Sequence, residues 1–440
     1  MRRLIYIFII GLLLCSYTWA DGSRYASKSL LSEGKWVKIR VDKTGIYKLS
    51  YADLKNMGFS DPSKVSVHGY GGWPLDEDFS KEYIDDVPST PVWRGSDYLL
   101  FYGKGPVKWE YDSSSQTFVH TNNPYSLYGY YFVTDATPTN DMTSVAQASG
   151  ASTRITTYDD YLLHEQELVS VNQSGREFFG EDFSGARPRT ISTFSSIPGI
   201  TGADGKVTMR FISRINSGSG TASLSINDSE LLDITIPSIQ TVSSNVRSYT
   251  KAIPGTTTAL WKGSKSEKNN VVVSYSSSGH TNVRLDYIRM QFVRTLRPYG
   301  ACTFFRSLTS VGNASRFVIS EANSNTLVFD VTDALNVKRV EADLNGSELS
   351  FTIPAGRLRE FVLVQTNQTF PSPEVVGEVA SSNLHGLEQR DMIIISAPSL
   401  VQQAERLAVA HREKDGLTVE VVTPEAIYNE FSSGTPDATA

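Results

Sequence analysis

The sequence has 440 residues, of which 40% are hydrophobic, 20% charged and 11% aromatic, a composition typical of globular proteins. At about 100–200 residues per domain this length predicts two to four domains, and it excludes a mini-protein or a wholly disordered chain. The net charge is −6, from 41 Lys+Arg against 47 Asp+Glu. Because no strongly basic run occurs, the sequence argues against nucleic-acid binding.

The first twenty residues are typical of a secretory signal peptide. Two arginines precede the apolar run from Leu4 to Leu14, and Ala20 ends a short polar segment before Asp21. The run is too short to span a bilayer, so an N-terminal anchor is the weaker interpretation. A lipoprotein cut before Cys15 is also weak, because Leu14 is bulky where a small residue is needed. We therefore expect 1–20 to be the signal peptide of an exported protein.

Residues 21–135 predict a β-rich N-terminal domain. Trp36–Asp42 and Gly45–Leu49 alternate apolar and polar residues around a glycine-containing turn, which predicts a β-hairpin. A short helix should follow, because Ser50 and Asp53 have capping-box spacing and Gly58 can end it. Further strand-like runs occupy 65–68, 98–102 and 128–133. Residues 136–153 are rich in small and polar residues and predict a linker.

Residues 154–375 predict a β-sandwich or jelly roll, because short strand-like runs alternate with turn residues and helical periodicity is scarce. The longest run extends from Val283 to Val293. The other strand-like runs are 207–212, 222–226, 231–236, 270–275, 316–319, 326–329, 349–353 and 360–364.

The pattern changes in residues 376–440, which predict the start of an α/β domain. Met392–Ile395 is a continuous apolar strand, and Leu417–Val422 is a second one. Between them we predict a helix that is capped by Ser399 and closed by Gly416, and a short helix from Pro424 to Tyr428 should follow. The apolar stripe of the longer helix consists of Leu400, Ala404, Leu407 and His411.

The strand–helix–strand–helix order of residues 376–440 predicts parallel pairing with a right-handed crossover. Two parallel strands cannot bury both faces of a sheet, so we expect this α/β domain to be incomplete in the chain. The expected fold class is thus multidomain and mainly β, with a β-rich N-terminal domain and a β-sandwich or jelly-roll region before the first βαβα of an α/β domain.

The strong local signatures of catalysis and cofactor binding are absent from the sequence, including the phosphate loop, the dinucleotide fingerprint, zinc motifs and the nucleophile elbow. Without the signal peptide, Cys302 would be the only cysteine, and its aromatic neighbours favour a buried, unreactive thiol. The six histidines lack metal-ligand spacing, so we expect structural or surface roles for His68, His120, His164, His280, His385 and His411.

Two groups of residues could bind a ligand. The runs Asp76–Asp78 and Asp85–Asp86 offer the carboxylates that calcium prefers, but without the spacing of a calcium hand, so a solvated loop is favoured. Aromatic residues could stack on a carbohydrate, although at strand spacing a core role is favoured for Trp73, Trp93, Trp109 and Tyr128 to Tyr131. Glycosylation sequons such as Asn172 and Asn345 carry little weight in a chain this rich in Ser and Asn. No cofactor is predicted.

Several blocks resemble known proteins. The C-terminal blocks resemble the opening of the gingipain-type cysteine peptidase domain, and they are Asn383–Leu387, Asp391–Ser396, Gln403–Ala408, Asp415–Val419 and Ile427–Asp437. The upstream blocks resemble the N-terminal half of sortases of the type IX secretion system, and they are Gly45–Leu49, Ser174–Glu181, Leu285–Ile288 and Phe329–Asp333. Together the resemblance covers nearly the whole chain after the signal peptide.

This resemblance implies a cell-surface cysteine endopeptidase of Bacteroidetes-type bacteria. Such an enzyme removes C-terminal sorting domains from secreted cargo and couples the new C-terminus to lipopolysaccharide, with an outer-membrane β-barrel protein as partner. The family's chemistry is acyl transfer through a Cys thiolate with a His. Both residues lie beyond the position of Ala440, and Cys302 and His385 fall outside the family's catalytic motifs. We therefore assign no catalytic residue and expect this chain itself to be inactive.

The loop from Ser396 to Ser399 follows a parallel strand, so it would face the active site of the complete domain.

Two other functions stay open from the sequence. The chain could be a non-catalytic secreted β-sandwich module for binding or adhesion, or part of another gingipain-related surface peptidase.

Overall fold

The computed structural model describes residues 25–81, 83–171, 175–185, 187–215, 218–239, 252–263, 265–277 and 281–440. The predicted signal peptide, Asn172 and His280 lie outside these ranges. The described residues form two compact units. The first unit contains the described part of Met1–Val107 with Tyr125–Asp141 and Pro371–Ala440, and the second contains Lys108–Pro124 and Met142–Phe370. The domain boundaries that we placed at 135, 153 and 375 stay predictions.

Most of the regular structure is β, which confirms the expected fold class. The strands of the first half of the chain are β1 Val37–Val41, β2 Gly45–Ser50, β3 Ser66–His68, β4 Ser89–Thr90, β5 Val92–Arg94, β6 Tyr98–Gly103, β7 Val107–Asp112, β8 Thr117–Asn122, β9 Gly129–Thr134, β10 Ser144–Val145, β11 Thr153–Ile155, β12 Thr157–Glu165, β13 Arg189–Thr190, β14 Gly205–Ile215 and β15 Ser219–Ile226.

The strands of the second half are β16 Ser229–Pro237, β17 Ile253–Trp261, β18 Val271–Ser277, β19 Thr281–Thr295, β20 Cys302–Phe305, β21 Ser315–Ile319, β22 Thr326–Asp330, β23 Lys338–Val340, β24 Asp343–Asn345, β25 Glu348–Ile353, β26 Phe361–Gln365, β27 Glu374–Glu378, β28 Met392–Ile395 and β29 Val419–Val422. Strand β19 is the long strand that the sequence predicts around 283–293.

Helices are few in the described residues. The α-helices are α1 Tyr51–Asn56, α2 Val401–Lys414 and α3 Pro424–Phe431. Short 3₁₀ turns occupy Leu30–Ser32, Pro62–Lys64, Ser192–Phe194, Leu308–Ser310, Leu384–Gly386 and Pro398–Leu400. Helix α1 begins as predicted, because the Ser50 side chain accepts a hydrogen bond from the backbone N–H of Asp53.

The first unit is built around two β-sheets. One sheet has the strand order β27-β1-β9-β3-β4, and the other has the order β2-β6-β5. Both sheets contribute side chains to one apolar core, among them Ile39, Leu49, Phe101 and Val133. Since β27 follows the second unit in the chain, residues distant in sequence complete the sheet that β1 begins.

The predicted hairpin of residues 36–49 is wrong. Strand β1 pairs with β9 and β27, whereas β2 pairs with β6 in the other sheet. Ile39 and Tyr47 both point into the core between the sheets. Alternation around a glycine turn predicts two strands equally well in a hairpin or across a sandwich, and burial of both apolar faces decides for the sandwich.

The C-terminal part of the first unit is the predicted βαβα. Strands β28 and β29 pair in parallel, with Met392 opposite Val419, and α2 connects them. The predicted Ser399 cap of α2 is wrong, because Pro398 starts a 3₁₀ turn that includes Ser399 and α2 begins only at Val401. The predicted stripe is also wrong in part: Leu400 precedes the helix and is exposed, Leu407 is exposed, and Ala408 is the buried residue of the helix.

The second unit contains two β-sandwiches. The first packs the sheet β12-β19-β14-β17 on the sheet β13-β18-β15-β16 around a core that includes Phe211 and Ile288. The second packs the sheet β10-β23-β22-β26-β20 on the sheet β11-β21-β25-β24 around Phe305, Phe317 and Phe351. In the described residues, no helix has the length and apolar character that a membrane crossing requires.

Candidate functional site

A buried polar cluster of the first unit surrounds His385, at the start of the α/β segment. The Glu430 carboxylate accepts hydrogen bonds from Nδ1 of His385 at 2.7 Å and from the backbone N–H groups of Leu384 and His385 at 2.8 and 3.1 Å. On the other side of the ring, Nε2 lies 2.8 Å from Oδ1 of Asp85. The ring also stacks on Phe431, with centroids 4.4 Å apart.

This arrangement fixes the charge of the imidazole. Burial disfavours the charged ring, but the hydrogen bonds to Glu430 and Asp85 outweigh burial and raise the pKa of His385 to about 9. The same contacts lower the pKa of Glu430 despite its burial. His385 is therefore an imidazolium at neutral pH, held between two carboxylates.

The chemistry of His385 is that of a structural ion pair. Its side chain and that of Glu430 are 0% exposed, and both ring nitrogens are already bonded. A general base must reach the proton that it abstracts. This ring is buried and both of its nitrogens are bonded within the protein, so the contacts describe a structural role, and the absence of a catalytic role for His385 stays a prediction.

The neighbouring Asp86 binds residues near the N-terminus next to this cluster. Its carboxylate accepts hydrogen bonds from Oγ of Ser29 and the N–H of Leu30, each at 2.7 Å. The N–H of Ser29 in turn donates to the Asn383 side chain at 2.9 Å. Burial raises the pKa of Asp86. Asp85 and Asp86, which the sequence offered as calcium ligands, thus bind protein groups in this structure.

Calcium binding stays a prediction that no contact supports. In the other acidic run, the Asp76 carboxylate lies 2.5 Å from Nζ of Lys81, and Asp78 accepts a hydrogen bond from the Ser80 hydroxyl at 2.7 Å. Across the described ranges, no group of three or more His, Cys, Asp or Glu side chains is arranged to hold a metal ion.

A second anchor joins β1 to helix α3. Nζ of the buried Lys38 donates to the side-chain oxygen of Asn429 at 2.8 Å and lies 4.7 Å from the centre of the Tyr130 ring. Burial lowers the pKa of Lys38 to about 8, although the charge of Glu425 opposes this shift. The amide oxygen and the aromatic face compensate for part of the lost hydration of this ammonium group.

The residues after α3 form a third anchor on the first unit's β-strands. The Thr435 hydroxyl donates to the carbonyl of Gly71 at 3.0 Å and accepts from the N–H of Tyr130 at 3.2 Å. Asp437 accepts a hydrogen bond from the N–H of Leu75 at 2.9 Å. Gly434 has a φ of +84°, and a Cβ atom there would lie 2.8 Å from Cε of Lys38. We call these three anchors together the seat.

The polar side chains of the seat are deeply buried. Asn429, Glu430, Thr435 and Asp437 are each at most 3% exposed. Buried polar groups are retained where they are hydrogen-bonded. Sequence reasoning missed Lys38, Glu430 and Asp437. The partners of Lys38 and Asp437 lie 391 and 362 positions away in the sequence, and those of Glu430 lie 46 and 45 positions away, outside any short window. The only signal was their place in or near the blocks that carry the resemblance.

The other residues singled out from the sequence are spread over both units. Cys302 is half-exposed on β20, an edge strand of its sheet, so the expectation of a buried thiol is wrong. The loop Ser396–Ser399 lies at the carboxyl end of β28, as expected, with Ser396 buried and the rest exposed. Each histidine of the described ranges has a polar partner, for example the carbonyl of Val87 for His68 at 2.9 Å.

The tryptophans considered for carbohydrate binding contact protein groups. Trp109 stacks on Tyr161 with ring centroids 3.9 Å apart, and Nζ of Lys104 lies 4.3 Å from the Trp73 ring centre. Trp93 packs against Tyr98. Faces that are occupied by neighbouring side chains favour the structural role.

Comparison with known proteins finds similarity in the C-terminal segment and over most of the chain. Residues 385–440 match peptidase family C25. The crystal structure of dimeric latent PorU from Porphyromonas gingivalis superimposes with a TM-score of 0.85 at 36% identity, over 94% of this chain and 39% of that chain. The chain thus spans about two fifths of the length of that PorU. No curated protein sequence matches the chain.

Two carbohydrate-binding modules are also similar to parts of the chain. The module from Cellvibrio mixtus lichenase 5A has 14% identity over 33% of this chain and 92% of that chain, and the module from Cellvibrio japonicus Abf62 has 16% identity over 31% and 97%. Both have a TM-score of 0.16, which is too low to support an inference about fold or ligand.

Proposed function

We propose that this PorU-like chain of the gingipain type, whose residues 385–440 match peptidase family C25, is the N-terminal region of a type IX secretion sortase. The complete enzyme would be a cell-surface cysteine endopeptidase that cleaves C-terminal sorting domains from secreted cargo and links the cargo to lipopolysaccharide. The observation that carries the proposal is the 36% identity to PorU over 94% of this chain.

The contacts of the seat support a positioning role for this chain within such an enzyme. Catalysis would need a Cys thiolate and a His partner, which the resemblance assigns to positions beyond Ala440. Residues 25–440 would then hold the opening of the peptidase domain in place, and they would not cleave cargo themselves. The signal peptide would direct the enzyme across the inner membrane, and an outer-membrane β-barrel protein would hold it at the cell surface.

The test compares strains of the native bacterium. The gene is deleted and then replaced by its complete reading frame, by residues 1–440 alone, or by the complete frame with the peptidase-domain cysteine changed to alanine. The intact mass of secreted cargo is measured in each strain. We expect loss of the sorting domain only with the complete, unaltered frame.

Two outcomes would contradict the proposal. Normal cargo processing in the deletion strain would remove the sortase function. Processing by residues 1–440 alone would show that the catalytic residues are within this chain. Loss of a cell-surface adhesion phenotype without a change in cargo mass would favour the non-catalytic module.

A further inference from the structure

A groove in the first unit lies beside the edge strand β27. Its volume is about 470 Å³, and it is lined by residues of β1, β2, α1 and the segment 372–378. Val37, Leu49, Met57 and Val375 give the groove its apolar walls. Strand β27 is the terminal strand of its sheet, so one edge of its backbone has no neighbouring strand among the described residues.

The strand exposes two apolar side chains between the glutamates at its two ends, Glu374 and Glu378. Val375 and Val376 are 48% and 50% exposed. Edge strands of soluble proteins are commonly blunted by charged residues, bulges or a covering segment, because a bare apolar edge is a template for another strand. Here a bulge interrupts the pairing of β27 with β1 between Lys38 and Ile39, but the two valines stay accessible.

The negative charge of the groove lining favours a positively charged partner. Its lining includes two carboxylates, Asp53 and Glu378, and no lysine or arginine. Nζ of Lys35 lies 3.6 Å from Glu378 in a partly exposed pair that contributes little, and Arg40 pairs at 2.6 Å with Glu374 at the other end of the strand. Rim charges of one sign favour a partner of the opposite sign.

We infer that this groove binds an extended peptide that adds to β27 as a further strand, inserts an apolar side chain between Leu49 and Met57, and presents a lysine or arginine to Asp53 and Glu378. Main-chain hydrogen bonds to a sheet edge give affinity in such complexes, and alternate side chains give specificity. This inference does not depend on the sortase function.

A second copy of the chain fits the same edge less well. Antiparallel pairing of two β27 strands about Val376 would place Glu374, whose charge Arg40 offsets in part, opposite Glu378 of the other copy. Like charges directly opposite each other destabilise a strand pair. A basic peptide has the opposite charge at the same positions, which is why we assign the groove to a peptide partner.

The test is peptide binding to the purified protein, measured by fluorescence anisotropy. The probe is a labelled six-residue peptide of alternating valine and lysine. One control peptide replaces each lysine by glutamate, and another carries N-methyl groups on alternate amides, which removes strand pairing. We expect only the unmodified lysine peptide to bind, and we expect added salt to weaken its binding.

Two groove variants and one matched control complete the test. Glu378→Lys should weaken binding about fivefold or more, because an attraction becomes a repulsion, and Val376→Lys should weaken it by placing a cation on the strand. Glu33→Lys reverses an equally accessible carboxylate outside the groove and should leave binding unchanged. Circular dichroism spectra must match the unaltered protein for each variant.

Several outcomes would overturn the inference. These are absence of binding at the solubility limit of the peptide, equal binding of the lysine and glutamate peptides, full binding of the N-methylated peptide, or equal losses in E378K and E33K. Dimerisation that V376K abolishes would assign the edge to a second copy and would equally overturn it.

Discussion

Glu430 accepts a hydrogen bond from Nδ1 of His385 at 2.7 Å, and neither side chain is accessible to solvent. The pair joins the first turn of the family C25 match to the end of helix α3, and Asp85 extends it into the β-rich part of the same unit. A buried ion pair contributes specificity of position more reliably than stability, because desolvation offsets much of the attraction. The contacts of the seat thus hold the segment that matches family C25 against the β-rich part of the first unit.

Replacing Glu430 by glutamine should destabilise the first unit. The substitution keeps the shape but leaves the His385 imidazolium with one carboxylate, and hydrogen bonds to charged groups are worth about 1.5–3 kcal/mol. We expect the free energy of unfolding in urea to fall by about 2–3 kcal/mol. Glu33→Gln, at a position with a side chain 79% exposed, is the control. Equal losses in the two variants would contradict the prediction.

The stability of the protein should carry a pH dependence that His385 causes. The pKa of this ring is about 9 in the folded protein and 6.5 for an ordinary histidine. A raised pKa stabilises the fold fully below pH 6.5, and the contribution disappears as the pH rises through 9. The stability difference between wild type and His385→Gln should shrink over this range. Urea unfolding at several pH values measures it, and a difference that is constant with pH would contradict the assignment.

Lys38 should produce the opposite slope. Its pKa is about 8 in the folded protein against an ordinary 10.5, so the folded chain releases the proton first. Stability from this group therefore increases as the pH rises from about 8 to 10.5. Lys38→Met should remove that increase, whereas Lys43→Met, at an exposed lysine, should retain it. The same urea series tests this, and an unchanged slope in K38M would contradict it.

Sequence patterns predicted the local features well. The cap of α1 by Ser50, the long strand β19 and the βαβα order of the last 60 residues follow from spacing and periodicity within short windows. The resemblance to the gingipain-type domain was equally readable, because its blocks are contiguous in the chain. Each of these features depends on residues that are close in sequence.

The features that sequence could not predict depend on distant residues. The hairpin prediction failed because the partners of β1 are β9 and β27, the second of which lies more than 300 residues away. Lys38 lies in an alternating strand, and residues distant in sequence, among them Asn429 and Gly434, cover its side chain. Nothing in a short window tells a buried lysine from an exposed one when its partner comes from the other end of the chain.

Gly434 should not tolerate a side chain. It has a φ of +84°, and a Cβ atom would lie 2.8 Å from Cε of Lys38 and 2.9 Å from the Phe132 ring. Gly416 has a similar φ of +68° with nothing within 4 Å, so Gly416→Ala measures the backbone strain alone. We expect Gly434→Ala to cost about 1–3 kcal/mol more than Gly416→Ala, from the overpacking term. Equal costs in urea unfolding would contradict a closely packed seat.

The peptidase opening should stay bound to the β-rich residues after the chain is cut between them. Ala380 and Ser381 are exposed and lie between β27 and the 3₁₀ turn of Leu384–Gly386, so a recognition sequence for a specific protease can be inserted there. After the cut, the two fragments would be joined only by the non-covalent contacts of the seat, in which His385, Lys38 and Thr435 are buried with their partners. We expect the two fragments to co-elute in native size-exclusion chromatography and to separate in urea.

A double variant distinguishes specific binding through the seat from non-specific association of the fragments. In the cut protein, Glu430→Gln and Gly434→Ala weaken two anchors at once, so the fragments should dissociate at a lower urea concentration than in the unaltered cut protein. Gly416→Ala in the same background should not change this concentration beyond its own strain. Release of the C-terminal fragment from the unaltered cut protein without denaturant would contradict the role of the seat. The buried hydrogen bonds and ion pairs of the seat should keep the two fragments together without the covalent link.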